Sequence, residues 1–348
     1  MTAKAPAQAT TMKAIVRHSY GSSDVLELRD IDKPVVDDDG VLVRVRAASV
    51  NAYDWHLLRG RPYLVRMFAG LRKPKNTGVG VDVAGLVEAV GKNVTQFRPG
   101  DEVFGQGGGA FAAHGGGAFA EYVCAGENNF VLKPANLTFE QAAAVPMAGS
   151  TALQGLRDKG QVQPGQKVLI NGAAGGVGTF AVQIAKSFGA DVTGVCSTRN
   201  VDMVRSIGAD HVVDYTREDF TRSGQRYDLM LDVAASHSLS ACRRVLSSNG
   251  IFVSVGSAGG PDEQPGSVEV LVGVLEILLV SRFTSQKLLP FLAKFSKEDL
   301  TVLKELTEAG KVRPVIDRRY PLSEVPDAIR YLETGHAQGK VVITVSGL

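Results

Sequence analysis

The 348-residue sequence predicts an α/β fold, and three observations support this prediction. From residue 12 to about residue 136, short β-branched segments such as MKAIVRH and VLVRVRAASV are separated by turns containing Gly and Pro. After residue 137, TFEQAAA predicts a helix capped by Thr138, and apolar strands such as KVLIN then alternate with helical patterns. This alternation indicates a parallel sheet covered on both faces. The closing strand, KVVITV, is β-branched, and we expect it to return to the first domain.

Composition limits the kinds of partner. Hydrophobic residues make up 44% and charged residues 21%, with a net charge of +2, which is too small to indicate nucleic-acid binding. The three cysteines form no Cys-x-x-Cys pair, so we expect reduced thiols and a cytoplasmic location. The run 270–280 is too short for stable membrane insertion and contains Glu276. Residues 1–11 are small and polar, and we expect a loose tail there.

A glycine-rich turn follows the strand KVLIN. Ala173, Gly175 and Gly178 give the spacing A-x-G-x-x-G, a variant of the dinucleotide-binding fingerprint, with a helix opening at Gly176 or Val177. Gly175 would let the backbone approach a pyrophosphate, and Gly178 would allow close packing of the helix on the strand. The alternative is an ordinary strand–helix turn. The predicted cofactor contacts here are Ala174, Gly175, Gly176, Val177 and Gly178.

The second strand of this unit ends in CSTRN, where an acidic residue would bind the ribose of NAD. Ser197, Thr198 and Arg199 instead offer two hydroxyls and a cation, which suit the 2′-phosphate of NADPH. One charge-assisted hydrogen bond is worth about 1.5–3 kcal/mol, or roughly a ten- to hundredfold preference. The alternative is that Arg199 is only a solvated side chain. We predict NADPH as the cofactor.

The segments DVAGLVEAVGKNVTQFRPGDEVFG, GAFAEY, GAAGGVGTFAVQIAK and HAQGKVVITV occur in this order along the chain. Together they resemble the medium-chain dehydrogenase/reductase superfamily, and more narrowly its zinc-less, quinone-oxidoreductase-like branch, from Met12 almost to the end. The resemblance implies a GroES-like β domain interrupted by a Rossmann domain, with the active site in the cleft between them. We therefore expect residues 1–137 to form the GroES-like catalytic domain, 138–298 the Rossmann domain, and 299–348 to return to the catalytic domain.

The zinc alcohol dehydrogenases of this superfamily carry a Cys, a Gly-His-Glu motif and a second Cys as metal ligands. This sequence has Asn51, the segment GVD (residues 80–82) and PMAGSTA at those places, and it lacks the four-Cys structural lobe. The resemblance therefore implies no metal, because His56 and Asp54 are too few for a tetrahedral site. Without a Lewis acid, the better hydride acceptor delocalises its own charge. Quinones and α,β-unsaturated carbonyls do so, and hydrogen bonds can hold the resulting anion.

The resemblance also implies roles for individual residues. Asn51 is expected to orient the acceptor or the nicotinamide ribose, although a turn Asn that holds its own backbone is an alternative. Tyr63 and Tyr53 are candidate proton donors, with a core or rim tyrosine as the alternative. The expected contacts to the rest of the cofactor are Thr151, Tyr215, Val255, Gly256, Ser257, Gly339 and Lys340. For Lys340, the alternative is a surface lysine beside a strand.

The apolar run 270–283 is expected to form a buried helix at a homodimer contact or lid, or else an apolar wall of the substrate site. Either version favours a small hydrophobic carbonyl or quinone substrate. Three hypotheses about function follow: an NADPH-dependent quinone or enone reductase, an enoyl-thioester reductase, and an NADPH-binding protein with little catalysis. The basic segment RGRPYLVRMFAGLRKPK keeps the second hypothesis open, although a solvated basic loop is the ordinary explanation.

Overall fold

The computed structural model describes residues 11–108, 116–255 and 267–345. Its first part is rich in strands, as the sequence predicts, and Thr11 already belongs to the first of them. The elements are β1 (Thr11–Val16), β2 (Glu27–Asp32), β3 (Gly40–Val50), α1 (Ala52–Arg59), α2 (Val65–Ala69), β4 (Asp82–Val90), β5 (Glu102–Gln106), β6 (Tyr122–Gly126) and β7 (Phe130–Leu132).

Strands and helices alternate in the middle of the chain. The elements are α3 (Phe139–Ala143), α4 (Pro146–Leu153), β8 (Lys167–Asn171), α5 (Gly176–Ser187), β9 (Asp191–Cys196), α6 (Val201–Ser206), β10 (His211–Asp214), β11 (Tyr227–Asp232), α7 (Leu239–Arg244), β12 (Leu246–Ser254), α8 (Ser267–Val280), β13 (Lys287–Pro290) and α9 (Lys297–Glu308). Thr138 caps α3 through reciprocal bonds with Gln141, as its sequence predicts. The last elements are β14 (Ile316–Pro321), α10 (Val325–Glu333) and β15 (Lys340–Thr344).

The middle strands form a parallel sheet in the order β10-β9-β8-β11-β12-β13. This is the doubly wound Rossmann order. The strands remain parallel, but the chain adds strands to one side of β8 first and then to the other side, starting with β11. The reversal opens a crevice at the carboxyl ends of these two strands, where such sheets bind ligands. Asn171 at the end of β8 donates to Asp232 at the end of β11 across a distance of 2.8 Å, which fixes the two ends together.

The strands near both chain ends form a second sheet in the order β14-β15-β3-β4-β5-β7, with β6 also paired to β3. β15 lies antiparallel to β3, with Val341 opposite Val50. The closing strand therefore returns to the first domain, as expected, and the GroES-like and Rossmann fold class is confirmed. The exact domain boundaries, at residues 137 and 298, stay predictions from the sequence.

The apolar helix α8 packs only one side against the single chain. Its side chains Leu271, Leu275 and Leu279 are 52%, 47% and 60% exposed, whereas Ile277 and Val280 pack against the Rossmann sheet. Burial of the exposed side at a homodimer contact, or its use as a lid or as a wall of the substrate site, stays a prediction. None of the helices in the described ranges is long and apolar enough to cross a bilayer.

Candidate active site

The glycine-rich turn links β8 to α5 at the crevice of the Rossmann sheet. Gly172 adopts a left-handed conformation with φ of +89°, which turns the chain toward the helix. Gly175 then occupies the N-cap of α5, which begins at Gly176 as the sequence predicts. The first backbone N–H groups of the helix therefore point out of the turn, an arrangement that suits the pyrophosphate of a dinucleotide.

Two glycines of this turn differ in the room around them. A Cβ on Gly178 would lie 2.0 Å from the carbonyl oxygen of Gly172, so α5 can pack this closely only with glycine. A Cβ on Gly175 would meet only that same oxygen, at 3.6 Å, and would otherwise project into open space. The open space above Gly175 fits a phosphate group approaching the backbone, and the close contact at Gly178 fits helix–strand packing.

The predicted adenosine end lies after β9. Thr198 and Arg199 are exposed, Ser197 is half-buried, and the Tyr215 side chain is 54% exposed. The Arg199 guanidinium donates to the carbonyl oxygen of His336, so it reaches across to the chain segment before β15. The residues predicted for the adenosine end therefore lie close to one another after β9. The Arg199 guanidinium lies at the rim of the crevice.

A carboxylate that the sequence analysis missed lies in this same group. The Thr198 hydroxyl donates to Asp214 across 2.5 Å, and Arg217 lies 3.4 Å from the same carboxylate. The hydroxyl bond from Thr198, with help from Thr216, lowers the pKa of Asp214 below its ordinary value. Asp214 is therefore ionised, and its negative charge would oppose the predicted binding of a 2′-phosphate at Thr198.

At the other end of the crevice, Asn51 lies at the start of α1 in a buried polar cluster. Its Oδ1 accepts a hydrogen bond from Lys340 Nζ at 2.5 Å, and its Nδ2 donates to Asp82 at 3.0 Å and to the Ser49 carbonyl at 3.3 Å. Both ends of the side-chain amide are thus engaged by the protein. Asn51 is therefore more than a turn residue that holds its own backbone, because its side chain bonds Asp82 and Lys340, which are distant in sequence.

Lys340 is only 3% exposed, so the alternative of a surface lysine is wrong. Its ammonium also donates to the Val50 carbonyl at 3.1 Å. Burial lowers the pKa of Lys340, and the neighbouring carboxylates of Asp82 and Asp54 oppose that shift. Among the described residues, two acceptors use two of its three N–H groups, which leaves one donor for a ligand or water.

Two carboxyl groups complete the cluster, which we call the Asn51 cluster (Asn51, Asp54, Asp82 and Lys340). Asp82 accepts bonds from Ser49 and from the backbone N–H of Met147, at 3.3 and 3.1 Å. Burial raises the pKa of Asp82, and the charge of Lys340 and these hydrogen bonds oppose part of that rise. Asp54 accepts from the backbone N–H of Asn51, at 2.7 Å. Burial raises the pKa of Asp54 to about 7, with the charge of Asp82 adding to the rise.

One backbone contact connects the glycine-rich turn with the Asn51 cluster. Gly339 N–H donates to the Ala174 carbonyl at 2.8 Å, and the next residue, Lys340, reaches the Asn51 side chain. Gly339 has φ of +93°, and a Cβ there would lie 2.4 Å from the carbonyl oxygen of Val315, so glycine is required. The turn and the cluster are therefore parts of one site.

The remaining predicted residues are spread around this site. Thr151 is buried on α4, where its hydroxyl donates to the Met147 carbonyl at 2.7 Å. Val255 follows β12, and its N–H donates to the Asp232 carbonyl at 2.9 Å at the crevice. Gly256 and Ser257 lie outside the described residues. Tyr53 is half-buried on α1.

Tyr63 is not part of the hydrogen-bonded Asn51 cluster. Its side chain is 54% exposed and its ring packs near the Arg66 guanidinium, with 4.9 Å between the Arg66 Cζ and the ring centroid. Its assignment as proton donor remains a prediction.

Sequence reasoning missed Asp82 and Asp54 as members of the site. In the sequence, Asp82 stands out only as the last residue of GVD, the segment found where the zinc enzymes carry Gly-His-Glu. Asp54 stands three residues after Asn51, the spacing of a reciprocal helix cap, and this pattern could have predicted its bond to the Asn51 backbone. Within the described ranges, no group of three or more His, Cys, Asp or Glu residues is arranged to hold a metal ion.

A Rossmann sheet whose glycine-rich turn is hydrogen-bonded to a second, β-rich domain defines a nicotinamide-dependent oxidoreductase. The chain belongs to the medium-chain dehydrogenase/reductase superfamily, in its quinone-oxidoreductase-like branch. Residues 37–135 match the family described as the alcohol dehydrogenase GroES-like domain, and residues 207–343 match the family described as zinc-binding dehydrogenase.

Individual relatives agree with this assignment. The chain is 36% identical to a 2-methylene-furan-3-one reductase of Solanum lycopersicum, over 95% of this chain and 79% of that protein. It is 35% identical to a chloroplastic NADPH-dependent alkenal/one oxidoreductase of Arabidopsis thaliana, with the same coverage of both chains. The solved quinone oxidoreductase of Coxiella burnetii superposes with a TM-score of 0.83 at 32% identity, over 97% of this chain and 100% of that one.

Proposed function

We propose that this oxidoreductase uses NADPH to reduce quinones or α,β-unsaturated carbonyl compounds, without a zinc ion. The observation that carries the proposal is the connection from Ala174 through Gly339 to Lys340 and Asn51. It joins the predicted pyrophosphate turn to a buried cation at the place where the zinc enzymes of the superfamily hold their metal.

The residues of the chain fit a nicotinamide dinucleotide. The open space above Gly175 and the position of this turn at the N-terminus of α5 suit the pyrophosphate. The hydroxyls of Ser197 and Thr198, with the exposed Arg199, support NADPH over NADH. Asp214 weakens this preference, so we expect a selectivity nearer tenfold than a hundredfold.

When bound, the reduced nicotinamide would supply a hydride, and the residues of the chain would manage the charge that the acceptor gains. Lys340 offers one N–H for which the described part of the chain provides no acceptor, on a cation held in a low-dielectric site. Such a donor stabilises an enolate or phenolate oxygen far better than it would in water. Asn51 and the Val50 carbonyl hold the ammonium in place, and Asp82 holds the Asn51 amide, which makes Asn51 a positioning residue in this proposal.

Conjugated acceptors are the class that this site serves best. A cation with one remaining donor can hold a delocalised oxyanion but does not replace a coordinating Lewis acid for a simple ketone. The names of the tomato and Arabidopsis relatives, a furanone reductase and an alkenal/one oxidoreductase, support the same class. Tyr63 and Tyr53 stay candidates for the proton donor. A homodimer and a cytoplasmic location stay predictions from the sequence.

The test is oxidation of NADPH and NADH with a panel of small enones, quinones and simple ketones. We expect turnover of enones or quinones with NADPH, little turnover of ketones, and loss of most of the NADPH preference in Arg199→Ala. Arg222→Ala is the control, because Arg222 is an exposed arginine that pairs with Asp219. A preference of the intact protein for NADH would overturn the cofactor assignment. Tight NADPH binding with no turnover of any acceptor would favour the binding-protein hypothesis instead.

A further inference from the structure

A cavity of about 370 Å³ lies at the carboxyl end of α1, and its lining includes no residue of the Asn51 cluster or of the glycine-rich turn. Arginines and tyrosines dominate its lining: Arg59, Arg61, Arg66, Tyr20 and Tyr63. None of the described residues that line it carries a carboxylate. Its volume falls within the range of small-molecule sites, and its chemistry is that of a site for an anion.

The acidic residues around the cavity are already paired. Glu333 accepts two bonds from Arg59, at 2.6 and 3.1 Å, which neutralises that arginine. Asp24 lies 3.2 Å from Arg330. Neither Arg61 nor Arg66 forms an ion pair with any described carboxylate. Arg61 and Arg66 therefore give the cavity two positive charges that no carboxylate in the described part of the chain pairs with.

Arg66 is held in a fixed orientation. Its guanidinium lies 4.4 Å from the Tyr20 ring centroid and 4.9 Å from that of Tyr63. Its Nε donates to the Gly60 carbonyl at 3.0 Å and so satisfies one of the carbonyl groups at the end of α1. Arg66 thus has a structural role at the helix end, and Arg61, which is exposed and lies 5.9 Å from the Tyr63 ring, is the freer cation. Planar guanidinium groups held beside a concave surface suit the paired oxygens of a phosphate.

The position of the cavity relates it to the proposed reaction. Asn51 precedes the first residue of α1, and the cavity lies at the last, Arg59. An eight-residue helix spans about 12 Å, a separation that an extended pantetheine arm can cover. An acyl thioester of coenzyme A has an α,β-unsaturated carbonyl at one end of such an arm and phosphate groups at the other.

We propose that this arginine cavity binds the phosphate-bearing end of an enoyl–coenzyme A substrate. The inference rests on the proposed function, because an enoyl thioester is one member of the conjugated carbonyl class, and it narrows that class. The cavity gives the basic segment after Gly60 a specific role, with Arg61 as the main phosphate ligand.

Binding is tested first, without catalysis. Calorimetry with coenzyme A is carried out on the full chain saturated with NADPH, so that the cofactor site cannot accept the adenosine phosphates. We expect one site, about tenfold weaker affinity in Arg61→Gln, and partial recovery in Arg61→Lys. Arg72→Gln is the matched control, because Arg72 is an exposed arginine of the same basic segment outside the cavity. Equal affinity in the Arg61→Gln and Arg72→Gln variants would overturn the proposal.

Two further titrations identify what is bound. Pantetheine, which has no phosphate, should not bind measurably, and inorganic phosphate should compete only at far higher concentration than coenzyme A. If pantetheine binds as tightly as coenzyme A, the arginines are not phosphate ligands. If inorganic phosphate competes equally well, the cavity is a site for free anions and the substrate assignment is wrong.

Kinetics then compare crotonyl–coenzyme A with the crotonyl thioester of N-acetylcysteamine, which has the same reacting group without phosphates. We expect the ratio of their kcat/KM values to fall about tenfold in Arg61→Gln through KM, and to stay unchanged in Arg72→Gln. Reduction of enones with no advantage for the coenzyme A thioester would overturn this inference and leave the proposed function standing. If no acceptor is reduced, the proposed function fails, and the calorimetry still decides whether the cavity binds coenzyme A.

Discussion

Lys340 donates to the side-chain oxygen of Asn51 across 2.5 Å, although the two residues are 289 positions apart. Asn51 in turn donates to Asp82 at 3.0 Å, so one amide connects a buried ammonium with a buried carboxylate. A buried charge whose partner is removed is costly, because the low-dielectric interior offers no water to replace it. The Asn51 cluster is therefore a source of stability and of charge stabilisation at the same atoms.

Removing the Lys340 ammonium should destabilise the fold. In Lys340→Met, Asp82 and Asp54 keep their burial but lose their nearest cation, and we expect the free energy of unfolding to fall by about 3–5 kcal/mol. Denaturation by urea without cofactor measures it. Lys311→Met, at an exposed lysine, should change it by less than about 0.5 kcal/mol. Adding Asp82→Asn to Lys340→Met should restore part of the lost stability. A loss below about 1 kcal/mol in Lys340→Met alone would show that the Lys340 charge does not stabilise the buried carboxylates.

Asp54 should make stability depend on pH. Its pKa is about 7 in the folded chain against 3.8 for the unperturbed group, so the folded state holds the proton more tightly. As pH rises from about 4 to about 7, the unfolded state ionises first, and the folded state loses stability on the order of 4 kcal/mol from this group. Above pH 7 the penalty is complete and constant.

The variant Asp54→Asn isolates this effect, because an amide oxygen can still accept the Asn51 N–H and cannot ionise. As pH rises through this window, the free energy of unfolding of Asp54→Asn should increase relative to that of the parent protein. Parallel pH curves for the two proteins would mean that Asp54 ionises normally.

The sequence predicted local features of the fold better than contacts between distant residues. The turn at Gly175 and Gly178 follows from steric needs that act over a few residues, and the structure agrees with the role assigned to Gly178. Asn51 and Lys340 were both selected, but their hydrogen bond depends on β3 pairing with β15, which no local pattern specifies. The place of Asp82 beside Asn51 depends on another long-range pairing, that of β4 with β3, which sets Asp82 opposite Ser49.

Helix α8 shows another limit of sequence reasoning. Its apolar residues predict that the helix needs a cover, and they do not specify which surface provides it. In the single chain Leu271 and Leu279 remain more than half exposed. Burial at a dimer contact therefore requires a second surface, which makes the oligomeric state a property of two chains and not of this pattern alone.

The two glycines of the turn should separate folding from cofactor binding. Gly178→Ala places a methyl group 2.0 Å from the Gly172 carbonyl oxygen, and we expect a loss of about 1–3 kcal/mol in stability together with weaker binding. Gly175→Ala has an ordinary φ of −80° and no such clash, so its stability should change by less than about 1 kcal/mol. Its methyl group should instead fill the space of the pyrophosphate and weaken NADPH binding at least tenfold. Unchanged NADPH affinity in Gly175→Ala would show that the phosphate does not approach this turn.

Asp214 should limit the preference for NADPH over NADH. The ionised carboxylate accepts from the hydroxyl of Thr198, one of the two hydroxyls proposed for the 2′-phosphate, so it repels that group and occupies one of its donors. Asp214→Asn removes the charge and keeps an acceptor for Thr198. The ratio of kcat/KM for NADPH to that for NADH should therefore rise several-fold, mainly through the KM for NADPH. Asp219→Asn is the matched control and should leave the ratio unchanged. Asp219 likewise accepts a hydrogen bond from a threonine hydroxyl, that of Thr221. A ratio that falls in Asp214→Asn would mean that the carboxylate positions Thr198 for the phosphate more than it repels the phosphate.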